Sequence, residues 1–211
     1  MAELEPMRNH WWWRPGWKVG RSFYTWHFTF ADQPSVHQLV DDYAQLLSKL
    51  PTLDPVPVRW LHLTTQGIGF TDEVSRSDVD RIVAAARNRC AELKPFSVTL
   101  GPADVDPEVI FLPVRPVTPL AQVRDAIRDA IGDVWGQDNV PEPADGFRPH
   151  VSLAYSNAAG PIEPVAEAVS AYAARTAEVT VSSVSLIDLN RDDRAYEWTD
   201  IATVALNSQT G

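Results

Sequence analysis

Apolar and polar positions follow two different periods along this chain, and the period changes several times. Between residues 35 and 50 apolar side chains recur every three or four positions, which predicts a helix with one buried face. Residues 22–30 are rich in aromatic and β-branched types, which favours a strand. In chain order, the pattern predicts strand 22–30, helix 35–50, strand 57–65, helix 77–93, strands 95–100 and 109–115, helix 118–132, strand 148–155, helix 163–174, and strands 177–188 and 196–205.

Individual residues set some of the predicted boundaries. Pro51 closes the first helix, and Ser77 is the expected N-cap of the second. Pro113 and Pro116 indicate that strand 109–115 lies at a sheet edge or ends there, because proline cannot donate to a neighbouring strand. Residues 136–147 are rich in Asp, Pro and Gly and are predicted to form a polar loop.

The second half of the chain resembles the first. A shift of 88 residues places the strand at 23 on the strand at 111 and His62 on His150. The shift also superposes helical residues 36–48 on 124–136. Both halves have the order β-α-β-α-β, and the second has one more strand. The order predicts an α+β fold of two pseudo-symmetric lobes with mostly antiparallel sheets. A doubly wound parallel sheet is the alternative, but no glycine-rich phosphate loop follows a predicted strand.

These patterns divide the chain into three parts. Residues 1–21 form a tryptophan-rich N-terminal arm, and residues 22–205 form a single bilobal domain. The expected lobes are residues 22–105 and 106–205. Residues 206–211 are predicted to be a disordered tail.

Composition and charge narrow the classes of function. The 211 residues are 45% hydrophobic, enough to bury a sizeable core, and carry a net charge of −10. Non-specific binding of a long polyphosphate backbone requires the opposite charge, so long nucleic acid is not an expected partner. Cys90 is the single cysteine, which excludes an internal disulfide and multi-cysteine metal sites. With no apolar run of about 20 residues and no signal-peptide pattern, we expect a cytoplasmic monomer without a membrane partner.

Two strands carry the same short motif, a histidine followed two positions later by a hydroxyl residue. The motifs are His62-Leu63-Thr64 and His150-Val151-Ser152. Side chains at positions i and i+2 of a strand face the same way, so each histidine shares a face with its hydroxyl residue. A lone strand histidine is more often a core residue bonded to backbone. Two histidines at matched points of a repeat favour a shared function instead.

The paired motifs resemble those of the 2H phosphoesterase superfamily, which includes 2′-5′ RNA ligase-like and RNA 2′,3′-cyclic phosphodiesterase proteins. The likeness covers residues 22–205, and Phe147 to Leu153 is its most specific part. The resemblance implies two lobes, motifs that face each other across a central cleft, and no metal. Two departures are Ser152, where threonine is commoner, and Ala154-Tyr155, where many members place a basic residue.

The resemblance and the residue types together predict acid–base chemistry on phosphorus. A neutral histidine can take a proton from the attacking water, while a protonated histidine gives a proton to the leaving oxygen. His62 and His150 are the candidates for these two roles. Thr64 and Ser152 are expected to bind the phosphate oxygens. The predicted reaction is hydrolysis of a 2′,3′-cyclic phosphate, or a related cyclic phosphodiester, on a nucleotide or RNA end, without a cofactor. The alternatives are reversible 2′-5′ linkage formation and a non-catalytic nucleotide or RNA-end binding module. Which histidine is the base stays open.

Further residues are candidates for substrate binding. Arg148 shares the face of His150. The 88-residue shift matches Arg115 with His27, so Arg115 is expected at the equivalent place in the other lobe, where its positive charge can bind a phosphate. His27 also begins a His-x-Thr motif, but we expect it in the cleft wall or the core, peripheral to the reacting groups.

Two aromatic residues complete the predicted site. Trp60 shares the face of His62 and can stack on a nucleobase at the edge of the cleft. Tyr155 has the wrong parity to share the face of His150 and reaches the cleft only if the strand ends or bulges before it. No role is predicted for His10 or His37.

The N-terminal arm is the least ordinary segment of the sequence. It contains four tryptophans and a net charge of +2, so the remainder carries −12. Aromatic and basic side chains together can cap the cleft and stack on a base. Alternatively, the indoles pack on a sheet and anchor the N-terminus, which keeps them out of water.

Overall fold

The computed structural model describes residues 5–172 and 174–207. This part of the chain forms ten strands and four helices. The helices are α1 (Pro34–Leu47), α2 (Arg76–Cys90), α3 (Val117–Trp135) and α4 (Glu163–Ala171). The strands are β1 (Phe23–Thr29), β2 (Leu53–Pro55), β3 (His62–Phe70), β4 (Phe96–Leu100), β5 (Asp104–Asp106), β6 (Val109–Arg115), β7 (His150–Ser156), β8 (Ala177–Val181), β9 (Ser183–Asn190) and β10 (Glu197–Ala205). No helix in the described ranges is long and apolar enough to cross a membrane.

The strands form two sheets. The first has the order β10-β9-β1-β3, and the second has the order β2-β7-β6-β4-β8, with β5 also paired to β6. Each strand pair in the described part of the chain is antiparallel. The predicted α+β class with antiparallel sheets is confirmed, and the parallel alternative is wrong.

The two sheets do not follow the two halves of the sequence. The hairpin β9–β10 comes from the second half but pairs with β1 in the first sheet, while β2 and β4 come from the first half and join the second sheet. The lobes expected at residues 22–105 and 106–205 are therefore intertwined. The same crossing makes the two motif strands, β3 and β7, neighbours from different sheets.

Helices cover one face of each sheet. Helices α2 and α3 pack on each other and contact β10 and β3, whereas α1 contacts β8, β2 and β7. The helical spacing found in the sequence explains this packing, because the predicted apolar stripe is the buried face. In α1 the buried side chains are Val36, Leu39, Val40, Tyr43 and Leu47. The opposite face of each sheet is left to build the site.

Several predicted boundaries are wrong for local reasons. The strand predicted at 57–65 begins only at His62, because Val58–Trp60 after Pro57 forms a 3-10 turn, and it continues to Phe70. The strand predicted at 177–188 is two strands in different sheets.

The N-cap of α2 and the state of Leu206 also differ from prediction. The N-cap is Ser75 and not Ser77, since the Ser75 hydroxyl accepts the Asp78 N–H at 3.1 Å. Leu206, predicted to belong to a disordered tail, is buried, and its N–H donates to the Ser182 carbonyl. Residues 208–211 lie outside the described residues.

Strand β6 is interior and not an edge strand, but it ends at Arg115, directly before Pro116, so the alternative prediction of a strand end is confirmed. It pairs with β7 on one side and with both β4 and β5 on the other. The partner changes from β4 at Val114 to β5 at Phe111, and Pro113 lies in the gap between them. The proline thus occupies a position where no ladder bond is needed, which is how an interior strand accommodates it.

Candidate active site

A cavity of about 770 Å³ is lined by residues from both sheets. His62 and Thr64 enter it from β3, and His150 and Ser152 enter it from β7. The four residues predicted to do the chemistry therefore line one cavity. The reason is local: each motif lies on a strand, so its histidine and its hydroxyl residue project from the same face while Leu63 and Val151 are buried.

The two imidazoles are held by the same hydrogen bond. Nδ1 of His62 lies 2.8 Å from the Trp60 carbonyl oxygen, and Nδ1 of His150 lies 2.8 Å from the Arg148 carbonyl oxygen. A carbonyl oxygen only accepts, so Nδ1 carries the proton in both rings. Nε2 is then an acceptor when the ring is neutral and a donor when it is protonated. Nε2 of each histidine can therefore act as a general base in the neutral ring or as a general acid in the protonated ring.

The two histidines differ in their surroundings. His62 is only 8% exposed, and burial lowers its pKa to about 4, although the bond to the Trp60 carbonyl opposes the shift. The positive charge of His150 lowers the pKa of His62 further. His150 is exposed to solvent at the start of β7. At neutral pH His62 is therefore uncharged, and its Nε2 can accept a proton.

Each motif hydroxyl is near a buried ring. Thr64 Oγ1 lies 3.3 Å from His27 Nε2. Ser152 lies near Tyr155, whose pKa is raised mainly by burial, so that the phenol stays neutral. Thr64 is exposed toward the cavity, whereas Ser152 is buried at its wall.

Matching β-bulges follow the two motifs. The pairing of β1 with β3 passes from Trp26↔Gln66 to His27↔Thr64, leaving Thr65 as an extra residue. The pairing of β6 with β7 passes from Ile110↔Ala154 to Phe111↔Ser152, leaving an extra residue at the same distance from its histidine. A bulge reverses the parity of the residues beyond it.

The bulge in β7 decides the position of Tyr155. This side chain lines the cavity with His150 and Ser152, although its sequence parity is opposite. The condition stated for Tyr155, a bulge before it, is met at Leu153.

His27 lies behind the cavity wall and does not line it. Its ring is buried and stacks on His62 with 4.4 Å between ring centroids and 5° between planes. The structure thus places His27 peripheral to the reacting groups. Its counterpart in the second sheet is Phe111, because His27 pairs with Thr64 as Phe111 pairs with Ser152. The 88-residue shift, which matches His27 with Arg115, fails here.

The remaining predicted binding residues do not all line the cavity. Arg115 and Arg148 both line the cavity. Trp60 does not: it packs against Trp198 with 4.7 Å between centroids and lines a separate cavity of about 390 Å³. The reason is that Trp60 belongs to the 3-10 turn before β3, where the two-residue period of a strand does not apply.

The arm is bound to the second sheet. Met7 is buried and bridges to Gly160, and the His10 N–H donates to the Ser156 carbonyl at the end of β7. The Trp11 indole N–H donates to the Asp54 carboxylate at 2.8 Å. These contacts favour the packing interpretation of the arm.

The same arm also builds one end of the cavity, so the two interpretations are not exclusive. Arg8, His10 and Arg14 all line it, while Trp12 and Trp13 are exposed and do not line it. His10 stacks on Tyr155 at 4.2 Å between centroids, and its Nε2 lies 2.8 Å from the Tyr196 hydroxyl. Sequence reasoning missed His10 because it belongs to no motif and reaches the site only through the contacts of the arm with β7.

Glu108 lies among the positively charged side chains at the arm end of the cavity. Glu108 accepts a hydrogen bond from Arg14 at 2.8 Å and lies 3.3 Å from His10 Nδ1. Burial, and then the charges of Arg14 and Arg191, lower the pKa of His10 to about 4. In the described residues, no group of three or more His, Cys, Asp or Glu side chains is arranged to hold a metal ion.

The buried histidines predict a pH-dependent stability. Burial lowers the pKa of His27, His62 and His10 below the 6.5 of an unfolded histidine, so the unfolded chain binds more protons between pH 7 and 5. The free energy of unfolding should therefore fall as the pH is lowered, by up to about 1.4 kcal/mol per pH unit for each histidine. Calorimetry at pH 7, 6 and 5.5 measures this. An unchanged melting temperature over this interval would show that the rings are not buried neutral.

Comparison with known proteins identifies similar sequences and folds. Residues 31–193 match the family model described as the 2′-5′ RNA ligase superfamily. No curated protein matches the sequence significantly. The structure of TT0787 of Thermus thermophilus is 19% identical, covers 90% of this chain and 100% of its own, and has a TM-score of 0.68.

Two other solved structures have the same fold. E. coli LigT complexed with 3′-AMP is 18% identical over 89% of this chain and 99% of its own, with a TM-score of 0.63. The MHV ns2 PDE domain is 9% identical over 81% of this chain and 99% of its own, with a TM-score of 0.57. LigT was also solved with phosphate and with ATP. At these identities the likeness concerns the fold.

Proposed function

Because the chain belongs to the 2′-5′ RNA ligase superfamily, we propose that it hydrolyses a 2′,3′-cyclic phosphate, or a related cyclic phosphodiester, on a nucleotide or RNA end. The observation that carries the proposal is the pair of imidazoles in one cavity, each with Nδ1 bonded to a carbonyl and Nε2 left for proton transfer. The LigT complexes with 3′-AMP and phosphate support a nucleotide ligand for this fold.

The roles of the two histidines follow from their burial. His62 is neutral, so its Nε2 takes a proton from the attacking water. The water oxygen forms a bond to phosphorus, and the bond from phosphorus to one ribose oxygen breaks. His150, which solvent can reprotonate, gives a proton to that leaving oxygen. The product is a nucleotide with a phosphomonoester, and the proton gained by His62 returns to solvent.

The hydroxyl residues stabilise the charge on phosphorus. In the transition state negative charge grows on the two non-bridging oxygens. Thr64 and Ser152, one from each motif, are placed to donate hydrogen bonds to them. Arg148 and Arg115 add positive charge on the side of the cavity next to His150. Since the chain's own groups supply the acid, the base and the charge stabilisation, the proposal includes no metal.

The size of the cavity limits the substrate. A volume of about 770 Å³ is in the range of small-molecule sites. The cavity is therefore suited to a nucleotide or to the terminal nucleotides of an RNA. The net charge of −10 opposes binding of a longer polyphosphate.

A screen of cyclic phosphodiesters in the presence of EDTA tests the proposal. The panel contains 2′,3′-cyclic nucleotides, ADP-ribose cyclic phosphates and oligonucleotides with 2′,3′-cyclic ends. We expect hydrolysis of at least one class with the chelator present, and hydrolysis slower by about 10² to 10⁴ for the His62→Ala variant purified in parallel. Activity that disappears with EDTA and returns with a divalent cation would contradict the mechanism. Binding without turnover would favour the binding-module alternative, and formation of 2′-5′ linkages would favour the ligase alternative.

A further inference from the structure

His27 is a buried titratable group that the proposed mechanism does not use. It lies on β1, and its ring is covered by His62 on one side, while Trp198 meets it edge-on at 6.0 Å between centroids. Its Nε2 is 3.3 Å from Thr64 Oγ1. Its Nδ1 is buried and has no hydrogen-bond partner among the described residues. A buried histidine in contact with both members of the first motif requires an explanation.

The unpartnered nitrogen determines the tautomer. Burial, and the charge that His62 carries when protonated, hold the pKa of His27 well below its usual value, so the ring is neutral. A neutral imidazole has one N–H and one bare nitrogen. If the proton were on Nδ1, it would be a buried donor without an acceptor, and orphaned N–H groups are rarer in proteins than orphaned acceptors. The proton therefore belongs on Nε2, from which it is donated to Thr64.

This tautomer decides what the Thr64 hydroxyl can do. When Oγ1 accepts a hydrogen bond from His27, the hydroxyl proton cannot be given back to the same nitrogen. Thr64 is exposed toward the cavity, so its proton is free to point there. With the other tautomer the Thr64 hydroxyl would donate to His27, and the cavity would meet only an oxygen lone pair. An oxygen lone pair repels a phosphate oxygen, whereas a hydroxyl proton binds it.

We propose that His27 is a positioning residue that keeps the Thr64 hydroxyl as a hydrogen-bond donor to the substrate phosphate. The inference rests on the proposed function, because it assigns Thr64 to the phosphate. It is specific to the first motif. In the second sheet the corresponding position holds Phe111, whose ring cannot form a hydrogen bond to Ser152. The second motif hydroxyl therefore has no histidine in the position that His27 occupies next to Thr64.

The tautomer can be measured without any activity. Long-range ¹⁵N–¹H NMR spectra of the histidine-labelled protein distinguish a protonated Nε2 from a protonated Nδ1, and the His27→Gln variant assigns the signals. We expect Nε2–H for His27 and Nδ1–H for His62, since the latter donates to the Trp60 carbonyl. A His27 ring protonated on Nδ1 would overturn the inference. This result does not depend on whether the protein hydrolyses a cyclic phosphodiester, so the two proposals can fail separately.

Kinetics of two variants test the effect on the reaction. His27→Phe keeps a ring against His62 but removes the bond to Thr64, and we expect kcat to fall about tenfold with little change in KM, because the lost donor acts mainly on developing charge. His27→Gln offers an amide N–H to Thr64 and should recover most of kcat.

The matched control is His37→Phe. His37 lies in α1, outside the cavity, and bonds to the Phe30 carbonyl at 2.8 Å, so this variant also exchanges a hydrogen-bonded histidine for phenylalanine. A His27→Phe enzyme with the kcat of the control, or a His27→Gln enzyme as slow as His27→Phe, would overturn the inference. If His27→Phe does not fold, the comparison of His27→Gln with wild type and the NMR tautomer decide.

Discussion

Replacing either His62 or His150 with alanine is expected to lower kcat for a cyclic phosphodiester by about 10² to 10⁴. The reason is that each ring, held by its Nδ1 bond to a backbone carbonyl, supplies one proton transfer at Nε2, and alanine supplies none. Steady-state kinetics at pH 7 in EDTA measures the loss. Because the two groups act in one transition state, the double variant should lose little more than the slower single variant.

The control for this prediction is His37→Ala. It removes a histidine that bonds to backbone outside the cavity, and its kcat should equal that of the wild type. Retention of more than half of the wild-type kcat by either His62→Ala or His150→Ala would exclude the two-histidine mechanism.

The second large effect is expected when residues 1–17 are removed. This deletion takes away the buried Met7 and His10 and the hydrogen bond of Trp11 to Asp54. Burial of a methionine side chain contributes about 1.5 to 3 kcal/mol, and a loss of about 3 kcal/mol lowers the melting temperature of a protein of this size by roughly 10 °C. The deletion also removes Arg8 and Arg14 from the cavity, so KM should rise about tenfold while kcat changes less.

Two single variants separate these effects. Arg14→Ala removes a cavity charge that is paired with Glu108 and should raise KM with a small change in melting temperature. Trp13→Ala removes an exposed indole and should change neither quantity. A truncated protein with a lower melting temperature and an unchanged KM would show that the arm only anchors the N-terminus.

The local rules of strands are sufficient to predict the candidate chemical centre from the sequence. His62, Thr64, His150 and Ser152 can be identified because a motif with a period of two residues places its polar members on one face, whatever the sheet later pairs with. The position of Tyr155 can only be predicted conditionally, because a bulge depends on the pairing of two distant strands and leaves no sign in the sequence of β7 alone. The prediction for Trp60 is wrong because a 3-10 turn after Pro57 replaces the first residues of the predicted strand.

The sequence does not predict which distant strands pair or where the arm binds. The hairpin β9–β10 joins the first sheet, and this choice depends on the relative free energies of alternative strand pairings between residues more than 100 positions apart. His10 reaches the cavity for a similar reason, since Met7 bridges to Gly160 and carries the arm along the end of β7. The His-x-Thr motif of His27 is visible in the sequence, but its contact with Thr64 follows from the pairing of β1 with β3.

The pH dependence of kcat/KM tests the central claim most directly, because it reports the protonation states that the free enzyme needs. The measurement uses the wild-type protein in EDTA, with a 2′,3′-cyclic nucleotide and, for comparison, a 4-nitrophenyl phosphodiester of the same nucleoside. With the cyclic substrate we predict a bell-shaped profile: the acid limb has its midpoint near pH 4, where His62 becomes protonated and cannot act as base, and the alkaline limb arises because the reaction also needs a protonated general acid. With the 4-nitrophenyl ester the alkaline limb should disappear, since this leaving group needs no proton. A rate that increases steadily with pH for the cyclic substrate, or one that depends on an added divalent cation, would contradict the account.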